Sequence, residues 1–158
     1  PIHYQSLIRV PFIWADPMRP SAGRNDGLAS TLDIAQTILA RAGAPAYVGA
    51  QGRSLLPIID RSQRQVRDAL VLEEEGQRVY LGFTSRVRMR TLLTQRERLS
   101  VYDGIPWGEL YDLQADPREF ENRYDDAGYR GRRGELHERL ARAMLSLAET
   151  SPAPTAVA

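Results

Sequence analysis

Gly108-Glu109-Leu110-Tyr111-Asp112-Leu113-Gln114-Ala115-Asp116-Pro117 is the stretch whose reading decides the fold. A strand through it would bury Leu110 and expose its neighbours in part. Asp116-Pro117 then stops it, because proline removes a backbone donor and pushes the preceding residue out of the helical region. Working upstream, short apolar segments recur at Ala69–Glu74, Arg78–Thr84, Val87–Leu93, Arg98–Tyr102 and Glu109–Leu113, separated by turns such as Thr94-Gln95-Arg96 and Asp103-Gly104. Short strands with short connections imply an antiparallel meander. Working downstream, Leu136, Leu140, Ala143, Met144 and Leu147 recur at spacings of three and four on a background of Arg and Glu, which predicts a helix. That helix should cover an inner sheet face drawn from Val87, Met89, Leu99, Val101 and Leu110.

The same stretch, with Glu119 and Asn122 after it, resembles a signature near the C-terminal end of type I sulfatases, members of the alkaline phosphatase superfamily. Three further segments resemble that family in its order: Arg9-Val10-Pro11-Phe12-Ile13-Trp14, Ser30-Thr31-Leu32-Asp33-Ile34-Ala35-Gln36-Thr37-Ile38-Leu39 and Gly52-Arg53-Ser54-Leu55-Leu56-Pro57. Four ordered matches make chance agreement improbable. The resemblance covers the last third or so of such an enzyme, so the 158 residues read as a C-terminal piece.

The implied fold is α/β, here an α+β fragment. Residues 1–60 would supply the last strand and helix of a large α/β domain. Residues 61–150 would form a small antiparallel sheet of about four strands packed against a long C-terminal helix, and 151–158 a flexible tail. The polar, aperiodic run Arg61-Ser62-Gln63-Arg64-Gln65 marks the boundary. Leu7 to Trp14 is nearly continuous in apolar residues and reads as a strand buried on both faces, which needs a sheet lying upstream. Ser30 or Thr31 caps the next helix, with Asp33 as a capping carboxylate rather than a metal ligand. Leu32, Ala35, Ile38, Leu39 and Ala42 form its packing stripe, and Gly43 ends it.

Composition narrows the function classes. Apolar residues make up 42% of the chain and charged ones 26%, which suits a soluble protein, and no window approaches the ~20 apolar residues of a membrane helix. All 21 basic residues are arginine and 20 acidic residues nearly cancel them, so no polyelectrolyte field points to nucleic acid. Arg86, Arg88 and Arg90 alternate with Val87, Met89 and Thr91 as the solvated face of a half-buried strand does. Without cysteine there is no disulfide, thiolate ligand or thiol nucleophile. The compartment stays open between a bacterial-type cytoplasm and periplasm.

The sulfatase resemblance implies a formylglycine made from Cys or Ser in a C/S-x-P-x-R motif, a divalent cation such as calcium, and His and Lys groups on the sulfate. None of these motifs occurs here, and neither does any lysine. No catalytic residue and no metal ligand is therefore assigned to this chain, which needs no cofactor of its own. The fragment alone is expected to be inactive, and its missing partner is the N-terminal catalytic portion of the same protein.

The family's lysine would precede Pro1 closely, which makes His3 a substrate-side candidate, weighed against a loop histidine. Ile105-Pro106-Trp107 is the place for substrate influence, with Trp107 either stacking on a sugar or aryl group or packing against the terminal helix. His137 is expected on the outer face of that helix. Glu73-Glu74-Glu75 is expected to be a strand end entering a solvated loop, since consecutive strand residues cannot converge on one cation. Asp112, Asp116 and Glu119 are read as a turn cap and salt bridges. The alternatives are a parent acting on phosphate or phosphonate esters, or a stand-alone interaction module. Homo-oligomers would form through the N-terminal strand.

Overall fold

The computed structural model describes residues 2–18, 23–79 and 82–147. Its centre is a four-stranded antiparallel sheet of β1 (Ala69–Val79), β2 (Arg86–Thr94), β3 (Glu97–Tyr102) and β4 (Gly108–Asp112), in that spatial order. Consecutive strands pair, so the meander and the long helix α4 (Arg130–Ser146) stand as the sequence predicts. Four strands replace five candidates because β1 runs through Glu73-Glu74-Glu75, with an irregularity between Glu75 and Val79. Those glutamates therefore lie inside a strand and not in a loop. Glu73 and Glu75 face Arg90 and Arg88 across the ladder, with ion pairs of 3.0 Å each.

Register decides which side chains meet. Leu92 opposes Leu99, and Leu99 opposes Leu110. These three and Leu136 and Leu140 of α4 form one core, with Val71, Val101 and Ala143 against it. Val87 and Met89 do not belong to it. Side chains alternate along a strand, so the pairing of Met89 with Tyr102 puts both on the opposite face, where Val87, Met89 and Tyr102 make a second cluster with Phe83 and Ile105. Met144 and Leu147, expected on the covering face, are exposed and outside the core, while His137 is half-buried beside the Tyr124 ring, 5.9 Å between centroids, and not on an outer face.

The decisive stretch is a structural device. A side chain at position 108 would put its Cβ 2.2 Å from the Tyr124 ring, so only glycine fits. Asp112 closes the turn by accepting the amides of Gln114 and Ala115 at 3.0 and 3.2 Å, and Asp116 accepts that of Glu121 at 2.8 Å. Asn122 accepts the Leu110 amide and donates to the Gly108 carbonyl, both at 2.9 Å, which satisfies the free edge of β4.

Upstream of the sheet stand α1 (Gln5–Ile8), α2 (Asp33–Arg41) and α3 (Leu56–Ile59). The expected strand Leu7–Trp14 is replaced by the end of α1 and an extended run that pairs with no strand of the described sheet. Leu7, Val10, Phe12 and Ile13 are exposed, Ile13 to 88%. The stripe on α2 is exposed as well, Leu32 to 57%, and the buried face is Asp33, Gln36 and Thr37. Asp33 explains the inversion. It accepts the amides of Ser30 (2.7 Å) and Arg53 (2.8 Å) and pairs with both terminal nitrogens of Arg67. Thr37 donates to the Asp33 carbonyl and accepts the Leu55 amide, so the Ser30–Leu39 and Gly52–Pro57 motifs are tied together by polar groups. Gly43, at φ +69°, ends the helix as expected. The tail 151–158 lies outside the described residues.

Candidate functional site

On the sheet face away from α4, alternation brings Arg98, Ser100 and Tyr102 of β3 alongside Thr91 of β2 and Glu109 and Tyr111 of β4. Arg98 is 0% exposed. Its guanidinium donates to Glu109 and Ser100 Oγ, each at 2.7 Å, and through Nε to Glu119. It lies over the rings of both Tyr4 and Tyr111, at 5.0 and 4.8 Å from their centroids, the two rings being edge-on to each other at 6.0 Å. Burial opposes its charge, but the hydrogen bonds to Glu109 and Glu119 outweigh that and raise its pKa. Glu119, held at φ +58°, also accepts the Gln5 amide at 2.7 Å. One buried cation thus fastens three segments: residues 4–5, β4 and the loop after it.

His3 sits in this layer at 7% exposure. Its Nδ1 is 2.8 Å from Thr91 Oγ1, and its Nε2 faces the Glu74 carboxylate at 3.4 Å. Burial depresses its pKa below the ordinary histidine value, with Arg98 acting in the same direction and Glu74 and Glu109 opposing. Burial likewise raises the Tyr102 and Tyr111 phenols, so both stay neutral.

Trp107 is 43% exposed and stacks on Tyr102 at 5.0 Å, tilted by 34°, with Phe83 following at 6.3 Å. It packs on the face away from α4, contrary to the expected contact with the terminal helix, because its partner Tyr102 belongs to the second cluster. The cleft between the 82–85 and 103–107 loops measures about 370 Å3. A larger recess of about 1020 Å3 lies between the extended run at Phe12–Trp14 and α3, with Arg24 and Arg64 at its border. The two sequence candidates differ in exposure: His3 is enclosed with both ring nitrogens engaged, and Trp107 is open to an aromatic cleft.

Glu119 is read from sequence as a salt-bridging residue and pairs with Arg98 as such, whereas Arg98 and Glu109 carry no such reading. One available signal was the glutamate at 109 inside an apolar strand, which a core tolerates only with a partner. Among the described residues no three His, Cys, Asp or Glu side chains converge to hold a metal. The carboxylates that do cluster are already matched: Glu73 and Glu75 by Arg88 and Arg90, Glu109 and Glu119 by Arg98. The side chains present here do not fit a divalent cation. No described helix is long and apolar enough to cross a membrane.

The family model described as "N-sulphoglucosamine sulphohydrolase, C-terminal" matches residues 2–146. An N-acetylglucosamine-6-O-sulfatase of Bacteroides thetaiotaomicron is 28% identical over 151 residues, 94% of this chain and 27% of that protein. A protein solved in complex with its substrate D-glucosamine-2-N,6-O-disulfate is similar at TM-score 0.62 and 28% identity, over 76% of this chain and 24% of the other. A phosphonate monoester hydrolase of Agrobacterium radiobacter shares the fold at TM-score 0.62 and 24% identity, over 73% and 24% of the two chains. This chain spans about a quarter of the length of each.

Proposed function

The chain belongs to the N-sulphoglucosamine sulphohydrolase C-terminal family, and from that membership we propose that it is the C-terminal portion of a hydrolase of sulfate esters, inactive by itself. The match over residues 2–146 carries this reading, because it spans the motifs that close onto Asp33 and Arg98. In the proposed enzyme the formylglycine nucleophile and the divalent cation belong to the N-terminal portion, since the sequence holds no C/S-x-P-x-R motif and no group among the described residues fits a metal. The cation would polarise the ester there. Residues 1–60 complete the large domain and 61–150 form the subdomain. The exposed run Val10–Ile13 and the exposed stripe of α2 are the surfaces through which the chain meets the N-terminal portion.

Two relatives carry sulfated glucosamine in their names, which suggests a sulfated amino sugar as substrate. Trp107, backed by Tyr102, offers the flat apolar face that a sugar ring stacks on. A second reading, phosphonate ester hydrolysis, is favoured by the fold shared with the phosphonate monoester hydrolase. The test is hydrolysis of an aryl sulfate and an aryl phosphonate by the chain joined to its upstream reading frame. Faster sulfate release supports the first reading, and faster phosphonate cleavage the second. Trp107→Ala should raise KM for a sulfated glucosamine by about tenfold, the worth of one stacking contact.

A further inference from the structure

Four polar groups run in an unbroken line through the buried layer. Arg98 Nη1 lies 2.7 Å from Ser100 Oγ, Ser100 Oγ 2.7 Å from Thr91 Oγ1, and Thr91 Oγ1 2.8 Å from His3 Nδ1. Each hydroxyl has one hydrogen, whereas a guanidinium has only hydrogens to give. We propose that Arg98 is a positioning residue for His3, fixing through Ser100 and Thr91 which ring nitrogen carries the proton.

The direction of the line follows from its two ends together: Arg98 can only donate, and the Glu74 carboxylate, which can only accept, faces His3 Nε2 at 3.4 Å. Ser100 Oγ must accept from Arg98, so its own hydrogen is available to Thr91. Thr91 accepts it and passes its hydrogen to His3. Nδ1 is then the acceptor, and the imidazole proton resides on Nε2, facing Glu74 at 3.4 Å. Arg98 keeps its charge because Glu109 and Glu119 hold it, so the starting point of the line does not reverse. The same guanidinium stacks on Tyr4 and shares Glu119 with the Gln5 amide, so ring tautomer and backbone path of residues 3–5 are set by one group. A histidine whose tautomer is set by a hydrogen-bonded neighbour presents a defined donor rather than a mixture. The value of this to catalysis rests on the hydrolase reading above; the proton placement itself does not.

The experiment is nitrogen-detected NMR of the 158-residue chain with labelled histidine, at a pH where His3 is neutral. The expected result is one His3 tautomer with the proton on Nε2. Ser100→Ala removes the middle link, which frees Thr91 to accept, and the single signal should give way to a mixture. Thr91→Val should do the same, while Thr91→Ser, which keeps the hydroxyl and loses only a methyl, should retain the wild-type signal. A merely structural role would not separate Thr91→Val from Thr91→Ser in this way. An Nδ1–H tautomer in the wild type, or an unchanged tautomer in Ser100→Ala, overturns the proposal, and neither outcome bears on which ester the enzyme cleaves.

Discussion

Arg98 is the residue on which the second face of the sheet depends. Removing a buried partner strands the charges it neutralised, at a cost of ~3–5 kcal/mol. Arg98→Ala leaves Glu109 and Glu119 without their cation, so its urea midpoint should fall by that equivalent. Exposed Arg142→Ala, which loses only a pair with Glu138, should change it little. His3 adds a pH dependence. Its pKa is depressed by burial from the ordinary 6.5, so the unfolded chain binds a proton that the folded chain resists. Stability is therefore full above about pH 6.5 and is lost as the pH falls from there toward the folded value. His137 is depressed in the same direction by burial and Arg133. Urea midpoints should drop between about pH 7 and 5, and His3→Gln should flatten part of that slope. An unchanged slope in His3→Gln would place the titration elsewhere.

At the scale of elements, α4 and the connection between α2 and α3 carry the clearest tests. Leu140 is in the core and Met144 at its rim, so Leu140→Ala should cost ~2–5 kcal/mol and Met144→Ala clearly less. Equal shifts in urea midpoint would mean the helix presents another face. Gly52→Ala is a second test. Its Cβ would lie 2.1 Å from the Leu32 carbonyl oxygen, a backbone atom that cannot swing aside. A loss of ~1–3 kcal/mol is expected, with the α2–α3 pairing as the part that loosens.

What was legible at this scale follows from periodicity. The helix was readable because Leu136 and Leu140 recur every four residues in a polar background, and the meander because its turns are short. The faces of β2 were not separable, since Val87, Met89, Leu92 and Leu93 place apolar groups on both sides of one strand and only register assigns them. Arg98 was illegible for another reason: one arginine among many looks solvated, and its carboxylate partners lie 11 and 21 residues away. The polar buried face of α2 is not legible because the apolar stripe is the only periodic signal on that helix, while Asp33, Gln36 and Thr37 are buried through polar contacts to distant segments.

For the whole molecule, the exposed Leu7, Val10, Phe12 and Ile13, with Leu32 and Ile38 of α2, amount to an uncovered apolar surface. At ~25 cal/mol per Å2, leaving it uncovered forfeits several kcal/mol. The isolated chain should therefore self-associate, and light scattering should show this relieved by Phe12→Ser and Ile13→Ser together. A monomer at high concentration would contradict that. The central claim is the proposal that the chain is the C-terminal portion of a sulfate ester hydrolase and is inactive alone. Its most direct measurement is sulfate release from an aryl sulfate, with divalent cation, by the 158-residue chain and by the chain joined to its upstream reading frame. The account predicts release by the joined protein and none above buffer by the chain alone. Turnover by the chain alone, or none by the joined protein, would contradict it.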